Sequence, residues 1–184
     1  MKDTALLIID IQNDYFPEGK MELDNAAKAA EKAAEILNYF RMKNLTVFHI
    51  QHESIGKDAS FFLPGTQGQK INDLVKPLEN ETVLKKNYPN SFIETSLFAK
   101  LQENKIKNLV ITGMMTFMCV DATARAAKDL GFHCTLIHDA TAARALEFNG
   151  KKVTAGQVKT SFLAALSMIC DEVKSSEDFL KSQS

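Results

Sequence analysis

Cysteine is scarce in this sequence, and the few copies present are not arranged for a disulfide framework or a zinc ribbon. The three cysteines, Cys119, Cys134 and Cys170, are odd in number, lie far apart and form no Cys-x-x-Cys pair. Small domains that depend on disulfides or structural zinc carry closely spaced cysteines. We therefore expect three free thiols, and a fold stabilised by the ordinary core that 184 residues can bury.

A strong charge of one sign and a long apolar run are also missing. The sequence has 22 basic and 23 acidic residues, a net charge of -1, and no basic stripe, so neither nucleic acid nor a membrane surface is an expected partner. The apolar run at residues 5–9 is too short for a signal peptide or a membrane span, which predicts a cytoplasmic protein. Without a glycine-rich phosphate loop, a nucleotide-binding oxidoreductase is disfavoured.

Short apolar runs alternate with segments of helical spacing along the whole chain. This alternation favours a mostly parallel sheet covered by helices on both faces. No internal repeat or linker interrupts it, so residues 1–184 are expected to form one domain. Strands are predicted at residues 5–9, 45–50, 82–85, 108–112 and 132–137, and helices at residues 26–41 (with Asn25 as the cap), 95–102, 119–130 and 153–169.

The carboxyl-terminal ends of parallel strands meet at one edge of such a sheet, and ligands bind outside that edge. This rule selects Asp10, His52, Lys86, the 113–119 turn, and the pair His138 and Asp139. The long segment from residue 53 to 75 is expected to be a lid, a pocket wall or a mobile surface excursion.

Asp10 and Cys119 are the side chains at this edge with the clearest chemical potential. Asp10 ends an apolar strand, where partial desolvation would make its carboxylate a better proton acceptor; a cap or an ion pair is the alternative. Cys119 follows a strand and a turn, in the first turn of a predicted helix, where a thiolate and an oxyanion hole could form together. The alternative is a buried structural thiol, which is favoured for Cys134 and Cys170.

Lysine and histidine offer further candidates at the same edge. One of the adjacent pair Lys85 and Lys86 should face the sheet end while the other faces solvent, unless both are solvated. His138 is the best candidate for a cysteine–histidine dyad, because it ends a predicted strand. A metal site is not expected, since His49 and His52 would point to opposite faces of one strand.

Three segments carry a resemblance to a known family. Residues 7–16 read LIIDIQNDYF, residues 86–92 read KNYPNSF, and residues 112–127 read TGMMTFMCVDATARAA. In this order and spacing they resemble the motifs of the isochorismatase-like cysteine hydrolase family, and the resemblance extends from Ala5 to about Val173. The third segment is the most specific match, and the second selects Lys86 over Lys85.

The resemblance implies a three-layer α/β/α sandwich with a catalytic triad of Asp10, Lys86 and Cys119. It also implies a cis peptide bond between Met114 and Met115, and an oxyanion hole formed by the N–H groups of Met115 and Cys119. The family commonly self-associates, so a homo-oligomer, either a dimer or a tetramer, is expected.

Two departures from relatives within the family refine the expected chemistry. Nicotinamidases of the family carry an Asp-x-His metal motif after the second strand, where this chain reads Gln51-His-Glu-Ser54, so neither a metal nor another cofactor is expected. Some isochorismatases that cleave a vinyl ether lack the cysteine, whereas Cys119 is present here. The expected function is therefore cleavage of a small-molecule amide through a thioester. The alternatives are a vinyl-ether hydrolase, a nicotinamidase-like amidase, or a binding module that has kept the fold.

An apolar pocket with few polar groups is expected to hold a small, neutral or weakly anionic substrate. For each aromatic or methionine side chain the alternative is simple core packing. The expected substrate-binding residues are Gln12, Phe16, Phe92, Met115, Phe117 and Met118, with Asn13, Phe61 and Phe62 as further candidates.

Overall fold

The structure is a computed structural model that describes residues 2–183, which contain eight β-strands and five α-helices. None of these helices is both long enough and apolar enough to cross a bilayer. The strands are β1 (Thr4–Ile9), β2 (Thr46–His52), β3 (Thr82–Lys86), β4 (Asn108–Met114), β5 (His133–Ala142), β6 (Leu146–Phe148), β7 (Lys151–Val153) and β8 (Glu172–Lys174). The helices are α1 (Ala26–Met42), α2 (Leu97–Glu103), α3 (Asp121–Asp129), α4 (Ala155–Leu166) and α5 (Ser176–Lys181), with short 3-10 turns at Asn13–Tyr15 and Asp73–Val75 and a π-helical turn at Thr116–Val120.

Six strands form one sheet in the order β3-β2-β1-β4-β5-β8. Every neighbouring pair in this sheet is parallel, while β6 and β7 form a separate antiparallel hairpin. The strand order reverses direction between β1 and β4, and such a reversal opens a crevice at the carboxyl ends of the strands. The predicted α/β class with a mostly parallel sheet is confirmed.

Helices cover both faces of the sheet, which gives three layers. Leu6 and Ile8 of β1 face a core formed with α1 and α5, whereas Leu7 and Ile9 face a second core formed with α2, α3 and α4. A strand covered on both sides has no polar face, which is why β1 is an unbroken apolar run. The strand ends at Ile9, and the next residue, Asp10, is the first charged side chain after this run.

Helix boundaries differ from the sequence predictions where local bonding overrides propensity. Asn25 precedes α1 as expected, but its backbone is left-handed (φ 57°) and its side chain makes no capping bond. The predicted helix at residues 153–169 is shorter at both ends: Val153 pairs in β7, a capping box between Thr154 and Gln157 starts α4 at Ala155, two residues later than predicted, and the helix ends at Leu166. These shifts do not move the carboxyl ends of the strands.

Gly113 allows β4 to approach β1 beside Asp10. It pairs with Ile9 in register and has φ 127°, and a Cβ there would lie 2.0 Å from the Ile9 carbonyl oxygen. We expect Gly113→Ala to reduce the free energy of unfolding by about 2 to 6 kcal/mol, from strain and overlap together. Urea unfolding monitored by circular dichroism measures this effect.

Gly56→Ala is the matched control for this prediction. Its added Cβ has no neighbour within 4 Å, and the change should alter stability by less than about 0.5 kcal/mol. Equal stability of the two variants would contradict the proposed close approach of β4 to β1.

Candidate active site

Four candidate site residues meet where the central strands end. Asp10 follows β1, His52 ends β2, and Lys86 ends β3. The fourth, Cys119, lies in the π-helical turn that follows β4 and precedes α3. Because β1 to β4 are parallel neighbours, their ends bring together residues that are up to 109 positions apart, from 10 to 119.

The ammonium of Lys86 is the centre of this cluster. Its Nζ lies 2.6 Å from Asp10 Oδ2, 3.3 Å from Cys119 Sγ and 2.9 Å from His52 Nδ1. Burial opposes the charge on Lys86, yet the negative charge of Asp10, together with the contact with Cys119, outweighs it and raises the pKa of the lysine. Lys86 is therefore a permanent cation that links the other three side chains.

The two adjacent lysines behave differently because side chains alternate along a strand. The side chain of Lys86 is completely buried, whereas that of Lys85 is 62% exposed and pairs with Glu53 at 3.1 Å. Only Lys86 can therefore act inside the site.

Asp10 is held by its backbone in a conformation that is rare outside glycine. Its φ is 50°, and its N–H donates to the Ile50 carbonyl at 3.0 Å. Side-chain atom Oδ1 is buried and has no hydrogen-bond partner among residues 2–183. A carboxylate oxygen of Asp10 lies within 4.8 Å of Cys119 Sγ, so the carboxylate and the thiol are neighbours in the cluster.

Cys119 is a buried thiol and not a preformed thiolate. Burial, and then the negative charge of Asp10, raise the pKa of Cys119, while Lys86 acts in the opposite direction. This differs from the thiolate expected at a helix start, because desolvation outweighs the favourable charge. Burial also raises the pKa of Cys134 to about 12 and that of Cys170 to about 11. What distinguishes Cys119 is therefore its contact with Lys86 and not its acidity.

The backbone between β4 and Cys119 changes direction sharply. The peptide bond between Met114 and Met115 is cis, and the π-helical turn begins immediately afterwards at Thr116. Thr116 Oγ1 donates to the Ala142 carbonyl at 3.0 Å, which ties this turn to the end of β5.

His52 is the site residue to which the sequence analysis assigned no role. The register of β2 and β3 pairs it with Lys86, and this pairing could have indicated their contact. Burial, followed by the positive charge of Lys86, lowers the pKa of His52, with Asp10 acting in the opposite direction. The imidazole is therefore neutral at neutral pH.

His138, the expected dyad partner of the cysteine, is not part of this cluster. Among the described residues, one group of acidic, histidine and cysteine side chains has ligand atoms within 4.8 Å of one another. Its members are Asp10, His52 and Cys119. His138 lies in the irregular part of β5, where pairing with β4 shifts register between Ile111 and Gly113. The shift displaces the predicted strand end, because β5 continues to Ala142.

A cavity of about 260 Å³ opens onto Cys119. Burial raises the pKa of Tyr15 on its wall, so the phenol stays protonated. The cavity is lined by Tyr15, His52, Phe61, Asn87, Pro89, Met115, Met118 and Cys119. Two larger cavities, each about 390 Å³, lie at the opposite edge of the sheet, beside the first residues of β2 and β3 and of β4 and β5, away from the cluster.

Only part of the expected pocket wall lines this cavity. Met115, Met118 and Phe61 do. Phe16 and Phe62 are buried in the core beside α1, where Phe62 packs edge-on against Tyr15. Aromatic residues satisfy a core and a pocket equally well, so the sequence could not separate the two roles.

Phe92 and Phe117 also pack elsewhere, and Gln12 is a structural residue. Phe92 stacks on Phe132, and Phe117 packs against Phe162. The fully buried amide of Gln12 bonds to both the N–H and the carbonyl of His52, at 2.7 and 2.9 Å, because a buried amide must be satisfied inside the protein.

The segment at residues 53–75 forms a fixed wall through Phe61. Asp14 accepts a bond from the Phe62 N–H at 2.6 Å, and Gln12 Nε2 donates to the Gln69 carbonyl at 2.7 Å. Asn13 Nδ2 donates to the Gln67 carbonyl at 3.0 Å, so it too serves the segment and not the cavity. These bonds connect the segment to the loop after β1.

Asp10, His52 and Cys119 would also suit a metal ion by residue type, since their ligand atoms lie within 4.8 Å of one another. Lys86 Nζ, however, contacts all three side chains. Their ligand atoms are thus already directed at a cation that belongs to the chain itself, and a metal would have to displace it.

Comparisons with known proteins agree with this fold. Residues 4–163 match the sequence model of the Isochorismatase domain. The chain is 51% identical to the uncharacterized isochorismatase family protein YddQ of Bacillus subtilis over 97% of this chain and 99% of that protein. It is 27% identical to nicotinamidase 3 of Arabidopsis thaliana, over 95% and 89% of the two chains.

A solved structure shows the same architecture. The crystal structure of a proposed isochorismatase hydrolase from Oleispira antarctica superposes with a TM-score of 0.94 and 45% identity, covering 98% of this chain and 97% of that one. The fold and the site therefore define an α/β hydrolase, and the chain belongs to the isochorismatase family. The resemblance noted in the sequence is confirmed.

Proposed function

We propose that this protein is a cysteine hydrolase that cleaves the C–N bond of a small amide through a thioester on Cys119. The observation that carries the proposal is the position of Lys86 Nζ, which contacts both the Asp10 carboxylate at 2.6 Å and the Cys119 thiol at 3.3 Å. A base and a nucleophile that contact the same buried cation are parts that nucleophilic acyl transfer can use.

In the first half-reaction the thiol proton passes to Asp10 as Sγ attacks the substrate carbonyl carbon. The raised pKa of Cys119 means that proton transfer and attack are coupled. The N–H groups of Met115 and Cys119 would hold the oxyanion, as preorganised donors do in other acyl-transfer sites. Lys86 keeps its charge throughout and balances the negative charge that moves between Asp10 and Cys119.

Acylation is completed when the tetrahedral adduct collapses and the C–N bond breaks. Protonated Asp10 gives its proton to the leaving amine or ammonia, and the acyl group stays on Cys119 as a thioester. In the second half-reaction, which is deacylation, Asp10 takes a proton from a water molecule as that water attacks the thioester carbonyl. The acid leaves, and the thiol regains its proton from Asp10.

The cavity and the relatives support an amide over the other candidates. A volume of about 260 Å³ admits only a small substrate, and the name of the relative nicotinamidase 3 indicates an amide substrate. Cleavage of a vinyl ether would need Asp10 as an acid but no nucleophile, which leaves the contact between Cys119 and Lys86 without a role.

An ammonia-release screen over small amides, ureides and carbamoyl acids tests the proposal. For the best substrate, we expect Asp10→Asn to lower kcat/KM by roughly 10²- to 10⁴-fold, because the variant loses the general base. Asp178→Asn is the control, since Asp178 lies in α5, bonds to Ser175 Oγ and does not line the cavity. Unchanged turnover in Asp10→Asn would refute the proposed mechanism.

A further inference from the structure

We propose that His52 binds the substrate, donating a hydrogen bond from Nε2 to an acceptor oxygen, and that the site selects an uncharged substrate. The inference rests on the proposed function, because it assumes that the substrate occupies the cavity at Cys119. It assigns a role to the one side chain of the cluster that the mechanism does not use.

The contact with Lys86 determines which nitrogen of His52 carries the hydrogen. A lysine ammonium has three donors and no acceptor, so His52 Nδ1, at 2.9 Å from Lys86 Nζ, must accept. In a neutral imidazole the other nitrogen then carries the proton. The lowered pKa of His52 is consistent with this neutral form. Nε2 is therefore a donor.

The ring is held in place and faces the cavity. Gln12 binds the N–H and the carbonyl of His52 at 2.7 and 2.9 Å, and the imidazole lines the same cavity as Cys119. No group within residues 2–183 bonds to Nε2. This atom is also not fully buried. It therefore keeps access to the cavity, where a ligand can reach it.

The charges around the cavity determine the kind of ligand. The charge of Lys86 is already balanced by the Asp10 carboxylate at 2.6 Å, its Nζ also contacts Cys119 and His52, and Lys85 points to solvent. Among the described residues that line the cavity there is no arginine and no lysine. A carboxylate on the substrate would lose its hydration without gaining a counter-ion, which is costly. An amide or ketone oxygen gains the Nε2 donor instead.

Alkylation of Cys119 by iodoacetamide and by iodoacetate tests this inference without a known substrate. Both reagents form an Sγ–carbon bond, release iodide and pass the thiol proton to Asp10, but only iodoacetate is charged. The quantity compared is the rate with iodoacetamide divided by the rate with iodoacetate. We expect this ratio for Cys119 to exceed the same ratio for free glutathione by at least roughly tenfold. Peptide mass spectrometry separates Cys119 from Cys134 and Cys170.

Two variants of His52 separate substrate binding from support of Lys86. The asparagine amide of His52→Asn reaches the position of Nδ1 and keeps the partner of Lys86 but loses the outer donor. The glutamine amide of His52→Gln reaches the position of Nε2 and keeps that donor. We expect His52→Asn to slow iodoacetamide by about threefold to tenfold, the effect of one hydrogen bond, with little change for iodoacetate. His52→Gln should react with iodoacetamide faster than His52→Asn does, because only His52→Gln keeps the outer donor.

The outcomes distinguish failure of this inference from failure of the proposed function. A wild-type rate ratio at or below that of glutathione would overturn the selection of uncharged ligands. Equal effects of the two His52 variants would overturn the role of Nε2. The ratio of alkylation rates in the wild-type protein is measured without any variant, so it does not depend on whether the variants fold. If Cys119 reacted with neither reagent, the proposed nucleophile would be wrong, and this inference would fall with it.

Discussion

Cys119→Ala is expected to abolish turnover of any amide that the protein hydrolyses. Without Sγ no thioester can form, and loss of a covalent nucleophile typically lowers kcat by about 10⁴-fold or more. Fold stability should change little, because the side chain that is removed is small and Lys86 keeps Asp10 and His52 as partners. The measurements are ammonia release and the intact mass of the wild-type protein after rapid quenching, which should show the acyl adduct.

Cys134→Ala is the matched control for this prediction. Cys134 is also a buried free thiol, but its hydrogen bond is to the Phe132 carbonyl and not to a catalytic group. Turnover should survive this change. Near-normal turnover in Cys119→Ala would rule out the covalent mechanism, and an ether-cleaving reaction without a nucleophile would then be favoured.

Lys86→Met is expected to cause the largest loss of stability among single changes at the site. The variant leaves the Asp10 carboxylate, whose side chain is completely buried, without its counter-ion. Removing one partner of a buried ion pair costs about 3 to 5 kcal/mol. Activity should be lost as well, since nothing then balances the charge that moves between Asp10 and Cys119. Urea unfolding at neutral pH measures the stability.

Two further variants make this prediction specific. Lys85→Met removes the neighbouring lysine, which is 62% exposed, and should cost no more than about 1 kcal/mol. The double variant Asp10→Asn with Lys86→Met removes the uncompensated charge and should recover part of the lost stability, so the two effects are not additive. Equal costs for Lys85→Met and Lys86→Met would contradict the buried ion pair.

Much of the fold and the cluster could be predicted because it depends on patterns that are local in sequence. The apolar run of β1 and the charge after it placed Asp10 at a sheet end, and parallel topology placed Lys86 at the same edge. The resemblance added the choice of Lys86 over Lys85, and the structure buries the first and exposes the second.

The pocket could not be predicted to the same extent. Phe16, Phe92 and Phe117 are as apolar as Phe61, and only packing decides that Phe61 lines the cavity while the others lie elsewhere. Gln12 has the chemistry of a substrate ligand, but burial directs its bonds to the backbone of His52. Composition states what a side chain can do, whereas its neighbours decide what it does.

The sequence by itself determined the alternation of strands and helices, the parallel sheet, and the edge at which Asp10, Lys86 and Cys119 meet. It determined these because hydrophobic periodicity is local in the chain, and the rule for crossovers between parallel strands then places the strand ends at one edge. Only the tertiary structure decided that His52, and not His138, lies beside Cys119. It also decided that burial raises the pKa of Cys119 and that Lys86 contacts Asp10, Cys119 and His52. These properties depend on distances between strands and on burial, which no local pattern specifies.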